Sequence, residues 1–121
     1  MIGVGIIGYG YWGPNLARSV AEKDGARLTA IADFSTAALA RAGKRYPAAR
    51  LVESWRDLLD DPDIDAVIIA TPVSSHFEIA LAALRKGKHV LVEKPITDRS
   101  SEARMLIEEA ARRGLTLMVD H

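Results

Sequence analysis

Short runs of Val, Ile and Ala alternate along the chain with longer segments in which apolar residues return every three or four positions. This is the pattern of strands joined by crossover helices in a parallel sheet. Six strands are expected: Ile2 to Ile7, Arg27 to Asp33, a weak one at Arg50 to Val52, Ile64 to Ala70, His89 to Glu93, and Leu115 to Val119. Ala66-Val67-Ile68-Ile69-Ala70 is apolar at every position, as a central parallel strand covered by helices on both faces must be. Phe77, Ala80, Leu81 and Leu84 fall at i, i+3, i+4 and i+7, and so do Ala103, Leu106, Ile107 and Ala110. Each set makes a stripe that can lie on a sheet. The expected fold is α/β, a doubly wound parallel sheet of six strands in the order 3-2-1-4-5-6.

The helix ends are well punctuated. Arg85-Lys86-Gly87 and Arg112-Arg113-Gly114 set cations against the negative helix end and place a glycine where a left-handed cap is needed. Ser75 with Glu78 reads as a capping box, and Ser54 with Asp57 offers weaker chemistry of the same kind before a short helix that Pro62 follows. Gly3 and Gly5 share one face of the first strand and thin the sheet there for a helix.

Composition narrows the functions open to such a fold. The length of 121 residues suits one domain, residues 1–121, and 49% hydrophobic against 26% charged residues is the balance of a folded globular protein. The formal net charge is zero, so no basic surface points to nucleic acid or anionic membrane, and any bound anion must be held locally. The chain has no cysteine, which removes disulfides, thiolate metal sites and Cys nucleophiles and fits a reducing compartment. The apolar start, Met1 to Gly8, has no basic residue before it and runs into a glycine-rich turn, so it reads as a strand and not a signal peptide. No apolar run approaches the roughly 20 residues that span a bilayer. A soluble, cytoplasmic protein without a metal is expected.

Gly8-Tyr9-Gly10-Tyr11-Trp12-Gly13 is a G-x-G-x-x-G between the first strand and a helix with Leu16, Ala17, Val20 and Ala21 on one side. Gly8 would allow the tight turn, Gly10 the approach of a pyrophosphate to the backbone, and Gly13 close packing of helix on strand. Free N–H groups and the helix dipole would hold phosphates without net basic charge. Pro14 suits the first helical turn, where its missing N–H costs nothing. Glycines at a strand end also make plain turns, but strand, motif and helix coincide here and favour a Rossmann nucleotide site.

Asp33 lies about 20 residues beyond Gly13, where an acid accepts hydrogen bonds from the adenosine ribose. Its alternative role is to cap the following helix together with Ser35. Phe34-Ser35-Thr36 supplies no Arg for a 2′-phosphate, so NAD is preferred over NADP. Thr71-Pro72-Val73-Ser74-Ser75-His76 follows the fourth strand at the carboxyl edge, where open parallel sheets bind ligands. His76 reads equally as a cofactor contact or as a solvated first-turn residue. Glu93-Lys94-Pro95 closes the fifth strand at the same edge. Lys94 is there either a surface cation or, in a dry cleft, a group that exchanges a proton with a substrate hydroxyl.

Taken together, Gly8 to Asn15, Ala32-Asp33, Ala70-Thr71-Pro72 with His76, the run from Gly87 to Glu93-Lys94-Pro95, and the strand ending in Asp120-His121 resemble the N-terminal domain of the Gfo/Idh/MocA family. The name stands for glucose-fructose oxidoreductase, inositol dehydrogenase and rhizopine catabolism. The resemblance runs the whole length of the chain, and Glu-Lys-Pro is its most specific element. It implies binding of NAD or NADP and redox chemistry at a hydroxyl of a sugar, cyclitol or sugar nucleotide. It assigns Lys94 to substrate and nicotinamide, Pro95 to a proline often preceded by a cis peptide, and Glu93 to positioning that turn. Tyr11-Trp12 followed by Pro14-Asn15 looks like members that act on nucleotide-linked amino sugars.

Family members continue into a second α/β domain that supplies most of the substrate pocket, usually a catalytic His or Asp, and much of the oligomer interface. The chain stops at His121, so it looks like a truncated or engineered cofactor domain, with a terminal His121 that is frayed and not catalytic. Cofactor binding with little or no turnover is expected, together with a homodimer formed through the edge and apolar surface so exposed. Two alternatives stand beside this one. A non-catalytic nucleotide-binding or self-assembling module is the first. An S-adenosylmethionine site is the second, and it leaves Glu93-Lys94-Pro95 unexplained.

Overall fold

A computed structural model describes residues 1–10 and 13–120. In chain order the elements are β1 (Ile2–Ile7), α1 (Gly13–Ala21), β2 (Ala26–Ala32), α2 (Thr36–Arg45), β3 (Arg50–Val52), α3 (Trp55–Leu59), β4 (Ala66–Ile69), a 3-10 turn (Val73–Ser75), α4 (His76–Arg85), β5 (His89–Glu93), α5 (Ser100–Arg113) and β6 (Leu117–Asp120). The strands form one six-stranded sheet in the order 3-2-1-4-5-6, with every pairing parallel. The chain winds outward first on one side of β1 and then on the other, so the direction reverses between β1 and β4.

Side chains alternate across the sheet, and each face has its own core. Ile7, Val67, Ile69, Val90 and Val92 pack with Leu58, Ile79, Leu84 and Leu106 of α3, α4 and α5. Val4, Ile6, Ile31 and Ile68 pack on the other face with Ala17, Val20, Leu39 and Ala42 of α1 and α2. Gly3 and Gly5 fall on the first of these faces. A Cβ on Gly3 would stand 1.9 Å from the Asp63 carbonyl oxygen, and one on Gly5 2.7 Å from Leu58 Cδ2, so both glycines let the α3 region close on the sheet.

Several local expectations shift. β2 ends at Ala32, one residue before Asp33, and β4 is confined to Ala66–Ile69, with Ile64 buried outside the ladder. β6 begins at Leu117 because Leu115 is still closing α5, its N–H donating to Ala110 O at 2.9 Å. On α4 the buried line is His76, Ile79, Ala80, Ala83 and Leu84, leaving Phe77 and Leu81 half-buried at its border. On α5 the buried residues are Leu106, Glu109 and Ala110, while Ile107 is 58% exposed. Glu109 occupies an inward position because Arg112 and Arg113 of the next turn hydrogen-bond its carboxylate.

The capping box at Ser75 does not form. The Ser75 hydroxyl lies 2.7 Å from both Thr71 Oγ1 and the Pro72 carbonyl, and Glu78 pairs with Arg56 at 2.7 Å. The 3-10 turn before α4 rotates Ser75 away from the helix N–H groups. Ser54 does cap α3, accepting from Arg56 N at 3.2 Å. Gly87 and Gly114 take positive φ after α4 and α5, at 79° and 67°, as the left-handed caps require.

Candidate functional site

The glycine loop leaves β1 at the carboxyl edge, and its three glycines do different work. Gly8 has φ 98°, and a Cβ there would lie 2.9 Å from the Ala70 backbone. Gly13 opens α1 so close to the turn that a Cβ would stand 2.4 Å from Gly8 O. Around Gly10 no described atom lies within 4 Å of the Cβ position. Two glycines therefore serve contacts inside the protein, and the third keeps space free outside it. Tyr11 and Trp12 lie outside the described residues, as does His121.

Asp33 spans the glycine loop and the start of α2. Its Oδ2 accepts the Tyr9 N–H at 2.7 Å and its Oδ1 accepts the Ser35 N–H at 2.8 Å. Ser35 itself caps α2, accepting from Ala38 N at 3.1 Å. Asp33 thus braces the loop and the turn, and it does not cap the helix directly. The Tyr9 ring below is buried, and burial beside Tyr46 raises its hydroxyl pKa above the ordinary value, opposed by the charges of Arg45 and Arg41.

The ends of β1, β2, β4 and β5 open onto a cleft of about 540 Å³. Of the residues singled out in the sequence, Gly8, Gly10, Asp33, Thr71, Pro72, His76, Glu93 and Lys94 line it. Gly13 and Pro95 do not. Gly13 packs beneath the loop, and Pro95 is exposed beside the cleft, joined to Lys94 by a cis peptide bond. Lys94 is exposed at the rim instead of enclosed, and Glu93 is half-buried at the end of β5.

His76 is neither solvated nor open to a ligand through its nitrogens. It is 2% exposed, with Nε2 2.8 Å from Thr71 O and Nδ1 3.0 Å from Pro95 O. A neutral imidazole donates to one of these carbonyls, an imidazolium to both. Either way the ring ties the loop after β4 to the Lys94–Pro95 turn.

Phe34, Glu53 and Trp55 also line the cleft, although no sequence motif marks any of the three as a site residue. Ala32 pairs with Val52, so Asp33 and Glu53 follow neighbouring parallel strands at the same level. Among the described residues that line the cleft, Lys94 is the one cation.

An oxidoreductase family with an NAD-binding Rossmann fold, Gfo/Idh/MocA, matches residues 2–121. The chain belongs to this family. An uncharacterized oxidoreductase of Escherichia coli is 39% identical over 121 residues, which cover 99% of this chain and 34% of that protein. Among solved structures, biliverdin reductase from Synechocystis, in complex with biliverdin and NADP+, has a TM-score of 0.94 at 34% identity, covering 99% of this chain and 38% of that one. Scyllo-inositol dehydrogenase from Lactobacillus casei, with bound NAD(H) and scyllo-inositol, has a TM-score of 0.90 at 31% identity, covering 98% of this chain and 36% of that one. The chain spans about a third of the length of the relatives it matches.

The Gfo/Idh/MocA cleft fits a dinucleotide on its own geometry. The space above Gly10 is one that a Cβ would fill, and it sits before the N-terminus of a nine-residue helix whose first N–H groups have no partner within the helix. Among the described residues no helix is long and apolar enough to cross a membrane. No cluster of His, Cys, Asp or Glu among them is arranged for a metal ion.

Proposed function

We propose that this chain binds NAD in the cleft and forms the cofactor half of an oxidoreductase acting on CH–OH groups of sugars, cyclitols or sugar nucleotides. The open space at Gly10, at the start of α1 and across from Asp33, carries the reading. Gly8, Gly10 and the first turn of α1 would hold the pyrophosphate, and Asp33 would hold the ribose hydroxyls. Thr71, Pro72, Glu93, Lys94 and Pro95 would frame the nicotinamide end, which supplies a hydride acceptor or donor when the cofactor is bound.

Lys94 is the group placed to hold a substrate hydroxyl and exchange its proton, because it is the cation of the lining and its side chain is exposed. His76 acts through Lys94. By fixing the Thr71 and Pro95 carbonyls it sets where the Lys94 stem begins, so it is a positioning residue. Further chain would supply the rest of the substrate pocket, and residues 1–121 alone would bind cofactor with little or no turnover.

Isothermal titration with NAD, NADP and S-adenosylmethionine tests the reading. The expected result is one NAD per chain, bound more tightly than either competitor. Preference for S-adenosylmethionine, or no binding of a dinucleotide, would overturn it. A homodimer through the β6 edge is a subsidiary proposal, supported by Met118, which is 58% exposed on that edge strand.

A further inference from the structure

The cleft is not symmetric about β1. On the β4–β5 side stand Thr71, Glu93 and Lys94, and on the β2–β3 side stand Asp33, Phe34 and Glu53. Phe34 is 72% exposed, a flat apolar face presented to solvent directly after Asp33, the acid that would hold the ribose. An exposed ring there is suited to stacking a purine, which puts the adenosine end of a dinucleotide on this side.

Two acidic residues line that end of the cleft. Ala32 pairs with Val52, and the Asp33 N–H donates to Val52 O at 3.2 Å, so Asp33 and Glu53 leave adjacent parallel strands in register. Both oxygens of Asp33 accept from neutral backbone N–H groups, which fix the carboxylate in place without a countercharge. Glu53 is exposed, lines the cleft and makes no ion pair among the described residues. Arg41 and Arg45 act on the Tyr9 hydroxyl, but neither lines the cleft.

We propose that Glu53 is a specificity-determining residue: with Asp33 it forms an anionic pair at the adenosine end of the cleft that discriminates against dinucleotides carrying a 2′-phosphate. The inference rests on the dinucleotide-binding reading above. NAD presents neutral hydroxyls there, which Asp33 can accept from and Glu53 tolerates, whereas NADP presents a phosphate with close to two negative charges. Like charges a few ångströms apart repel even in a solvated cleft, and salt weakens the repulsion. Relatives of the same fold hold NADP+ in one case and NAD(H) in another, so the choice lies with side chains and not with the backbone.

The test is isothermal titration of NAD and NADP into the wild type and Glu53→Gln at low and high salt, with thermal denaturation of both unliganded proteins as the folding control. Glu53 is exposed and structurally uncommitted, so the unliganded midpoints should coincide. Glu53→Gln should tighten NADP by roughly three- to tenfold, less at high salt, and change NAD by less than about twofold. Normal NAD binding with unchanged NADP affinity would overturn the selector role alone. So would equal weakening of both ligands, which would make Glu53 a ribose ligand. Failure of the wild type to bind either dinucleotide would overturn the cofactor reading and this inference with it.

Discussion

The two ends of the sheet are built from the same kinds of residue and use them oppositely. At the amino end, the Lys88 ammonium is buried and donates to Asp61 O at 2.9 Å and Ile64 O at 2.7 Å. Asp65 accepts the Gly3 N–H at 2.8 Å, and His89 Nδ1 accepts the Thr116 N–H at 3.0 Å. These groups close on the chain itself. At the carboxyl end Asp33 and His76 also tie loops together, but Lys94 and Glu53 remain exposed around a cleft and Gly10 faces open space. A buried polar group left unpaired is costly, so the amino end must spend its polar groups on folding. Loop backbone tied by Asp33 and His76 at the other end is what allows a few groups to be held uncommitted.

The largest break in that contrast should come from Gly13→Val. Its Cβ would stand 2.4 Å from Gly8 O, so α1 has to move off the glycine loop. A loss of about 3 kcal/mol or more is expected in urea unfolding, together with NAD binding. Native stability in this variant would mean that the helix does not pack as described.

Lys88→Met should be nearly as damaging to stability and harmless to the cleft. It strips the donor from two carbonyls and should cost about 2 kcal/mol, while the NAD dissociation constant stays within about twofold. A large change in NAD affinity would show that the two ends are coupled.

A smaller effect is expected on α5. The Arg113 hydrogen bond, with the charges of Arg112, Arg113 and Arg85, holds the Glu109 carboxyl below its ordinary pKa against the opposing push of burial. A carboxyl whose folded pKa is depressed contributes stability above its unfolded pKa and loses it as pH falls through the folded value. The gap in melting temperature between wild type and Glu109→Gln should be present at neutral pH and shrink below about pH 4.5. A gap independent of pH would remove the ion pairs from the account.

Strand order, helix placement and most of the cleft were legible because they follow from local rules: apolar runs, helix periodicity, and glycines at a strand end. Those rules fail where a tertiary contact decides. Ile107 fits an apolar stripe, yet Glu109 takes the inward position because two arginines follow it on the next turn. His76 reads in the sequence equally as a cofactor contact or a solvated first-turn residue, and neither reading reveals its carbonyl partner at Pro95, which comes from a loop 19 residues away. Glu53 follows a three-residue strand, too short to announce which acids its register would bring together.

That Gly10 holds space for a pyrophosphate and meets no described atom inside the fold is the central claim. It is tested most directly by titrating NAD into Gly10→Val after its unliganded melting temperature has been compared with that of the wild type. No described atom lies within 4 Å of the Cβ position, so the melting temperature should be unchanged and NAD binding lost. A folded Gly10→Val that binds NAD as the wild type does would contradict the account.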